Sequence, residues 1–462
     1  MVLVTMAIAV AAWSRIRGQF NGCLERRFHG TGVGATALTQ PSLRERLADE
    51  FAGLDPADPQ YATRVVDGIL AAGHTIGASD LHLQPTADAL ELKFRIDGVL
   101  LPAAYFPIKL AANIIARLKV QAQLLTYQND RPQEGRIRLT DTDVEMRVAT
   151  FPTLFGERAV VRLFGGIRQF EQLDDLAMPA DVLAALRRVL AETSGAILVS
   201  GPAGSGKTTT VYACLRELAE RSHGARSLVS IEDPIEVAVA GVAQSQVNPA
   251  VGIDLANGLR YLMRQDPEVI MVGEIRDRAT AEAALQASLT GHLLLSTFHS
   301  GSAAETVGRL LDMAIEPYVL RSGVLTILNQ RLLRRLCQCS RPSDDPDDRL
   351  GLPVERVKLP IGCEHCNGTG YRGRCLLVEM LSWKTGMEQG GRLNLSERSE
   401  LAKAVLSRSD TVLLERTAKR AGMTTRWQRA YEAIERGQTS PAEVRRVLGF
   451  SEPVETSEDN CS

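Results

Sequence analysis

Ala196-Ile-Leu-Val-Ser-Gly-Pro-Ala-Gly-Ser-Gly-Lys-Thr-Thr-Thr210 joins an apolar strand candidate to a helix candidate that starts at Thr208 and runs to about Glu220. Between them Gly201, Gly206, Lys207 and Thr208 stand in the spacing G-x-x-x-x-G-K-S/T. Between a strand and a helix, that spacing means nucleotide phosphate binding. The glycines let the backbone bend so that successive N–H groups face the phosphates. The helix N-terminus adds partial positive charge, Lys207 adds a full one, and the Thr208 hydroxyl is placed to ligate magnesium. ATP or GTP is therefore expected on Gly201, Pro202, Ala203, Gly204, Ser205, Gly206, Lys207, Thr208 and Thr209.

Outward from this loop, strand candidates at 196–200, 228–232, 269–273 and 292–297 alternate with helical intervals. The expectation is an α/β fold with a mostly parallel sheet covered on both faces. Phosphate sites in such sheets lie at the carboxyl ends of strands. Residues 269–274 deliver Glu274 to one such end, where a carboxylate can orient a water or hold the water shell of a metal. Glu232, Asp233 and Glu236 form a second acidic cluster at another. His292 and His299 stand at the two ends of a third strand, and Ser296, Thr297 and His299 make its far end polar enough to hydrogen-bond a γ-phosphate. Guanidinium groups neutralise the charge that phosphoryl transfer spreads over that group, and a neighbouring subunit can supply them. Arg260 and Arg264 are four apart and would share a helix face, and Arg276 follows Glu274. Arg136 and Arg147 lie near strand candidates in the first half, and spacing does not choose which arginines cross an interface.

The 462 residues suggest about three domains. Lys plus Arg (53) nearly balances Asp plus Glu (55), so the net charge of −2 gives no argument for a nucleic-acid groove. A 45% hydrophobic and 5% aromatic composition fits a soluble globular protein. Val2–Trp13 is apolar but shorter than the roughly 20 residues a membrane helix needs, and Arg15 and Arg17 follow it, unlike a secretory signal. Helical spacing marks 61–73 and 42–51, and alternation marks strands at 90–96, 144–148 and 158–164, with Asp97-Gly98 as a hairpin turn. This first half reads as an α+β domain ending near Phe164. Residues 340–358 read as a loop, 393–448 as amphipathic helices, and 452–462 as a disordered acidic tail.

Four of the eight cysteines fall within Cys337–Cys366, with Cys375 just beyond, which reads as metal binding in a reducing compartment. Cys363-x-x-Cys366 has knuckle spacing, whereas Cys337-x-Cys339 is one residue tighter, leaving Cys375 and His365 as substitute ligands. Cys23, Cys214 and Cys461 read as plain residues.

Several further segments carry a resemblance: Gly77-Ala-Ser-Asp-Leu-His82, Arg95-Ile-Asp-Gly98, Arg131-Pro-Gln-Glu-Gly-Arg-Ile137, Thr153-Leu-Phe-Gly-Glu-Arg158, Ile231-Glu-Asp-Pro234, Arg264 to Asp277, and Thr290-Gly-His292 through His299. In this order, with the phosphate loop, they resemble the secretion ATPases of type II secretion and type IV pilus assembly, over roughly Ala62 to Gly449. The cysteine pairs resemble the tetracysteine zinc element of the secretion and pilus-extension branches, which retraction ATPases lack. The resemblance implies a RecA-like ATPase core, an N-terminal PAS-like α+β domain, a small zinc module and a C-terminal helical extension. It divides the chain into a partly flexible tail with a short helix (1–59), the PAS-like domain (60–165), a linker (166–178) and the ATPase core (179–336). The cysteine module (337–380), helical subdomain (381–450) and disordered tail (451–462) follow. By the same resemblance Lys207 and Thr208 bind phosphate and Mg2+, and Glu274 is the catalytic carboxylate. Glu232 and Asp233 would assist at metal and water, and His299 would sense the γ-phosphate. Arg136, Arg147, Arg260, Arg264 and Arg276 match arginines that contact phosphate or stabilise a ring. Cys337, Cys339, Cys363 and Cys366 would hold Zn2+. The implied assembly is an ATP-driven homo-hexamer on the cytoplasmic face of the inner membrane, working on a platform protein and docked to a membrane-anchored recruiting protein. The 60 or so residues before the PAS-like domain suggest a reduced docking surface, with Val2–Trp13 as its candidate. A ring ATPase that translocates nucleic acid is the alternative, which near-neutral charge and low aromatic content disfavour.

Overall fold

The computed structural model describes residues 43–138, 145–163, 170–383 and 395–450. The apolar run Val2–Trp13, the first four residues of the expected linker (166–169) and the acidic tail lie outside the described residues. Among the described residues no helix is long and apolar enough to cross a membrane.

The first half forms one antiparallel sheet from β1 (Asp80–Pro85), β2 (Ala89–Ile96), β3 (Val99–Pro107), β4 (Gln133–Arg138), β5 (Glu145–Thr153) and β6 (Gly156–Leu163). Their spatial order is β3-β2-β1-β6-β5-β4. Strict alternation sends Leu81, Leu83, Leu90, Leu92, Phe94, Met146 and Val148 to one face, which helices Tyr61–Ile76 and Ile108–Gln121 cover. The β2–β3 turn is the one expected: Asp97 and Gly98 both have positive φ (49° and 83°), the backbone demanded by a two-residue hairpin.

The second sheet contains β7 (Gly195–Ser200), β8 (Leu228–Glu232), β9 (Ala243–Gln246), β10 (Val269–Glu274), β11 (Leu293–Phe298), β12 (Val324–Leu336) and β15 (Tyr371–Leu381). The order is β15-β12-β7-β11-β10-β8-β9, parallel except where β15 pairs with β12. Residues of β7 alternate between two cores: Ala196 and Leu198 join one, Ile197 and Val199 the other. That is why the strand reads as continuously apolar. The expected strands are present, together with β9, β12 and β15. The stretch expected to be loop, 340–358, carries the short strand β13 (Arg341–Ser343), which pairs with β14 (Val357–Leu359).

Helices Leu395–Leu406, Thr411–Arg420, Arg426–Glu435 and Pro441–Leu448 complete the fold. Trp427, Ile434 and Val444 of the last two pack on Leu333, Cys375 and Leu377 of the β12–β15 hairpin. Glu443, fully buried there, accepts from Arg334 Nε at 2.9 Å, Arg446 Nη2 at 2.6 Å and the Arg334 backbone N–H at 2.9 Å. Burial would raise this carboxyl, but hydrogen bonds from Arg446 and Arg334 outweigh it and hold the group below its ordinary value. Its stabilisation is therefore present at neutral pH and is lost as pH falls from the ordinary carboxylate range through the lowered folded value. Glu443→Ala leaves the largely buried Arg334 without its carboxylate partner and should destabilise the fold by about 3 kcal/mol, measured by urea denaturation at neutral pH.

Candidate active site and cysteine centre

The carboxyl ends of β7, β11 and β10 lie side by side, and they bring the central motifs together. After β7 the chain turns through Gly201, Gly204 and Gly206, all at positive φ (146°, 73° and 86°). Gly201 is required twice over, since a Cβ there would also stand 2.5 Å from the Gln330 carbonyl oxygen. Helix Lys207–Ser222 begins directly, with Gly206 as its left-handed cap, so its first N–H groups face the loop. Lys207 Nζ donates to the carbonyl oxygens of Gly201 and Pro202, both at 3.0 Å. Burial lowers its pKa, Glu274 counteracts this, and the charge of Arg331 lowers it further. Ser205 Oγ is buried and makes no hydrogen bond. A loop with a buried, unpartnered hydroxyl, a buried ammonium and a helix N-terminus fits a phosphate group.

Glu274 owes its aim to an irregularity. The β10–β11 register runs Val272↔Ser296 and then Glu274↔Thr297, so Gly273 is the extra residue of a bulge. Bulges re-aim side chains at the ends of strands. His299 Nε2 lies 2.8 Å from Glu274 Oε1, and Glu274 Oε2 accepts from Arg276 Nε at 2.7 Å. A carboxylate is acceptor-only, so the contacting Nε2 carries the proton. Burial, and after it Lys207, lowers the His299 pKa; Glu274 opposes them, and Arg276 and Arg309 lower it further. The imidazole is thus neutral at neutral pH and available as a polar donor. Glu274, Arg276, His299 and Arg309 line a cleft of about 350 Å³.

Other expected residues take different places. The Ser296 and Thr297 hydroxyls donate to the Val272 and Gly273 carbonyl oxygens at 2.8 Å, tying β11 to β10. His292 lies at the opposite end of β11, against the Ala287 carbonyl oxygen. Glu232 is buried at the end of β8, where Tyr212, Ser230 and Gln244 all donate to its carboxylate. Asp233 beside it is exposed. Helix Leu255–Leu262 stops before Arg264, so Arg260 and Arg264 do not share its face; Arg264 stands in the turn that follows. Arg260 bonds Asn257 at 2.9 Å.

Arg136 and Arg147 stand directly opposite each other on β4 and β5, in a cross-strand row that continues through Arg162, Asp80 and Arg95. Partial desolvation, and then Glu232, raises the Glu236 carboxyl, while Arg162 and Arg147 pull it down. That arginine-bearing face therefore lies within electrostatic reach of the acidic end of β8. Lys119, fully buried, ties the chain ahead of β4, through Gln128 O (2.7 Å) and Asn129 Oδ1 (3.0 Å), to Glu157 Oε2 of β6 (2.9 Å). Sequence reading missed Lys119, and it missed Asn329, Gln330 and Arg331 of β12. A polar tripeptide inside the apolar run 324–336 was the available signal.

The tips of β12 and β15 carry the cysteine centre. The sulfurs of Cys337, Cys339, Cys363 and Cys366 all lie within 4.8 Å of one another. Tetrahedral coordination with metal–sulfur bonds of about 2.3 Å has edges of about 3.8 Å. The observed separations are 3.7 Å (337–363), 3.9 Å (339–366) and 3.7 Å (363–366), so the donor set fits a tetrahedral metal despite the tight first pair. Burial raises the Cys366 thiol, but backbone N–H donors from Cys363 and Gly370 and the neighbouring thiols bring it down to about 7. Cys375 and His365 stand outside the cluster: Cys375 contacts the Leu333 carbonyl, its thiol pushed up to about 11 by burial, and His365 contacts Arg372.

A family model described as "Type II/IV secretion system protein" matches residues 55–446. The chain is 38% identical to the type II secretion system protein E of Aeromonas hydrophila, over 88% of this chain and 79% of that protein. It is 40% identical to the type II secretion system ATPase E of Vibrio cholerae, over 76% and 71%. With the type IV pilus assembly ATPase TfpB of Acinetobacter baylyi it shares 38% identity over 85% of this chain and 66% of that protein. Two solved structures share the fold: the Legionella pneumophila ATPase DotB (TM-score 0.59, 21% identity, 85% of this chain and 97% of that one) and the pilus retraction motor PilT with bound ADP (TM-score 0.54, 22%, 84% and 97%). Gly201→Ala, with positive φ and a backbone clash at once, should cost about 1–3 kcal/mol of stability, measured by denaturant melting.

Proposed function

The chain belongs to the type II/IV secretion system protein family, and on that premise we propose that it is an ATP-hydrolysing motor for pilus or pseudopilus assembly. The observation that carries this reading is the adjacency, on one sheet edge, of the phosphate loop and the Glu274–His299 pair. ATP is the substrate. The loop N–H groups and the helix N-terminus bind its phosphates, and Lys207 exchanges its two carbonyl partners for phosphate oxygens. Mg2+, when bound, would neutralise charge between the phosphates, held by the Thr208 hydroxyl with Asp233 and Glu232 nearby. Glu274 orients the attacking water and takes its proton, and the neutral His299, whose one N–H otherwise faces Glu274, would turn that N–H to the γ-phosphate when ATP is bound. Arg136, Arg147, Arg260, Arg264 and Arg276 are proposed to meet phosphate or a neighbouring subunit in a homo-hexamer.

The four-cysteine centre is proposed to hold Zn2+, which closes the β12–β15 tip into a rigid module. The tetracysteine centre, with relatives named for secretion and for pilus assembly, supports a secretion or pilus-extension role over nucleic-acid translocation. The partners proposed are an inner-membrane platform protein and a membrane-anchored recruiting protein, with the motor on the cytoplasmic face.

Glu274→Gln should lower kcat at least about 100-fold while nucleotide affinity stays within about threefold, read by steady-state turnover and a fluorescent-ADP titration. A wild-type protein that stays monomeric with ATP and has no Lys207-dependent turnover would overturn the reading. Purified protein should carry about one zinc per chain by elemental analysis; Cys339→Ser should lose it and Cys375→Ser should keep it.

A further inference from the structure

Three polar residues, Asn329-Gln330-Arg331, interrupt the apolar strand β12, and the first two are essentially inaccessible to water. A buried amide is costly unless its hydrogen bonds are made, so its partners are informative. Gln330 Nε2 donates to Thr210 Oγ1 at 2.9 Å, in the first turn of the helix after the phosphate loop. Asn329 Nδ2 donates to Ser200 Oγ at 3.0 Å and to the Ser300 carbonyl oxygen at 3.3 Å. Ser200 immediately precedes Gly201, and Ser300 immediately follows His299, so one amide spans the roots of both functional segments.

Arg331 decides which way that amide points. Its Nη1 donates to Asn329 Oδ1 at 3.3 Å and to the Gln330 carbonyl oxygen at 3.1 Å, and its Nη2 donates to the Gly301 carbonyl oxygen at 2.6 Å. A guanidinium has no acceptor, so Oδ1 must face Arg331 and Nδ2 must face Ser200 and Ser300. Hydroxyls close the circuit: Ser300 Oγ meets Thr306 Oγ1 at 2.7 Å, and Thr306 Oγ1 meets Ser200 Oγ at 3.1 Å. The 299–301 segment is thereby held to β12 by Arg331 and Asn329, while Arg309 holds the His299 carbonyl.

We propose that Arg331 is a positioning residue for hydrolysis: acting through Asn329, Ser300 and Gly301, it fixes His299, and with it Glu274, relative to the phosphate loop. The inference rests on the reading of Glu274 and His299 as the hydrolytic pair. Arg331 makes none of its hydrogen bonds to either side chain, so its hold on them passes through the backbone of 299–301, separately from its charge effect on Lys207.

The test is a double-mutant cycle on ATP turnover in the full-length protein. Arg331→Met and Asn329→Asp, the latter isosteric but unable to donate to Ser300, should each lower kcat about 10- to 100-fold with KM within about threefold. In a His299→Ala background either change should cost less than about threefold more, because the residue it positions is already gone. Arg331→Lys keeps the charge but cannot span the acceptors, and should recover only part of the loss. Losses that multiply in the double variant, a rise in KM at unchanged kcat, or a fully active His299→Ala would each overturn the inference. Should Arg331→Met fail to fold, the cycle between Asn329→Asp and His299→Ala answers the same question. Wild-type turnover insensitive to Lys207→Ala would overturn the functional reading itself, whereas Lys207-dependent turnover with multiplying losses would overturn only this inference.

Discussion

Strand β11 is hydrogen-bonded on both sides, to β7 and to β10, and that placement governs the candidate site. Because the three strands are parallel, their carboxyl ends share one edge. The phosphate loop leaves β7, His299 leaves β11 and Glu274 ends β10, so the imidazole sits between the loop and the carboxylate. The bulge at Gly273 then turns Glu274 back toward His299. An order that put β8 between β7 and β10 would have brought Glu232 there instead.

The acidic groups show how position in the sheet sets chemistry. Glu232 and Glu274 both end apolar strands, yet Glu232 receives three side-chain donors in a buried cluster while Glu274 meets a histidine and an arginine at a cleft. The first carboxylate is satisfied and held, and it braces β8 against helix Lys207–Ser222 and β9. The second keeps one side open to the cleft.

The same logic extends along β12. Its middle supports the phosphate loop, and its far end, paired with β15, carries the cysteine centre. Glu443 clamps the last helix to that hairpin, and the β2–β3 turn reaches it from the first sheet: Asp97 accepts from the Gly373 backbone N–H at 2.8 Å. One strand thus links the edge that carries the candidate site, the cysteine module and the C-terminal helices. Loss of the four cysteines or of Glu443 acts on a strand that packs against the phosphate loop.

Sequence alone determined whatever depends on local pattern: the phosphate loop with its strand and helix, the alternating α/β order, Glu274 at a strand end, the Asp97-Gly98 hairpin, and four cysteines at chelating spacing. Each is set within about ten residues by periodicity, turn chemistry or ligand spacing. Tertiary structure decided which strand ends are neighbours, and so that His299 meets Glu274 while Glu232 is enclosed. It closed the tight Cys337-x-Cys339 pair onto Cys363 and Cys366, and it left Arg260 and Arg264 on different elements, because the helix ends at Leu262. It also gave Asn329, Gln330 and Arg331 their meaning. A buried polar side chain is defined by its partners, and theirs lie up to 129 residues away in the chain.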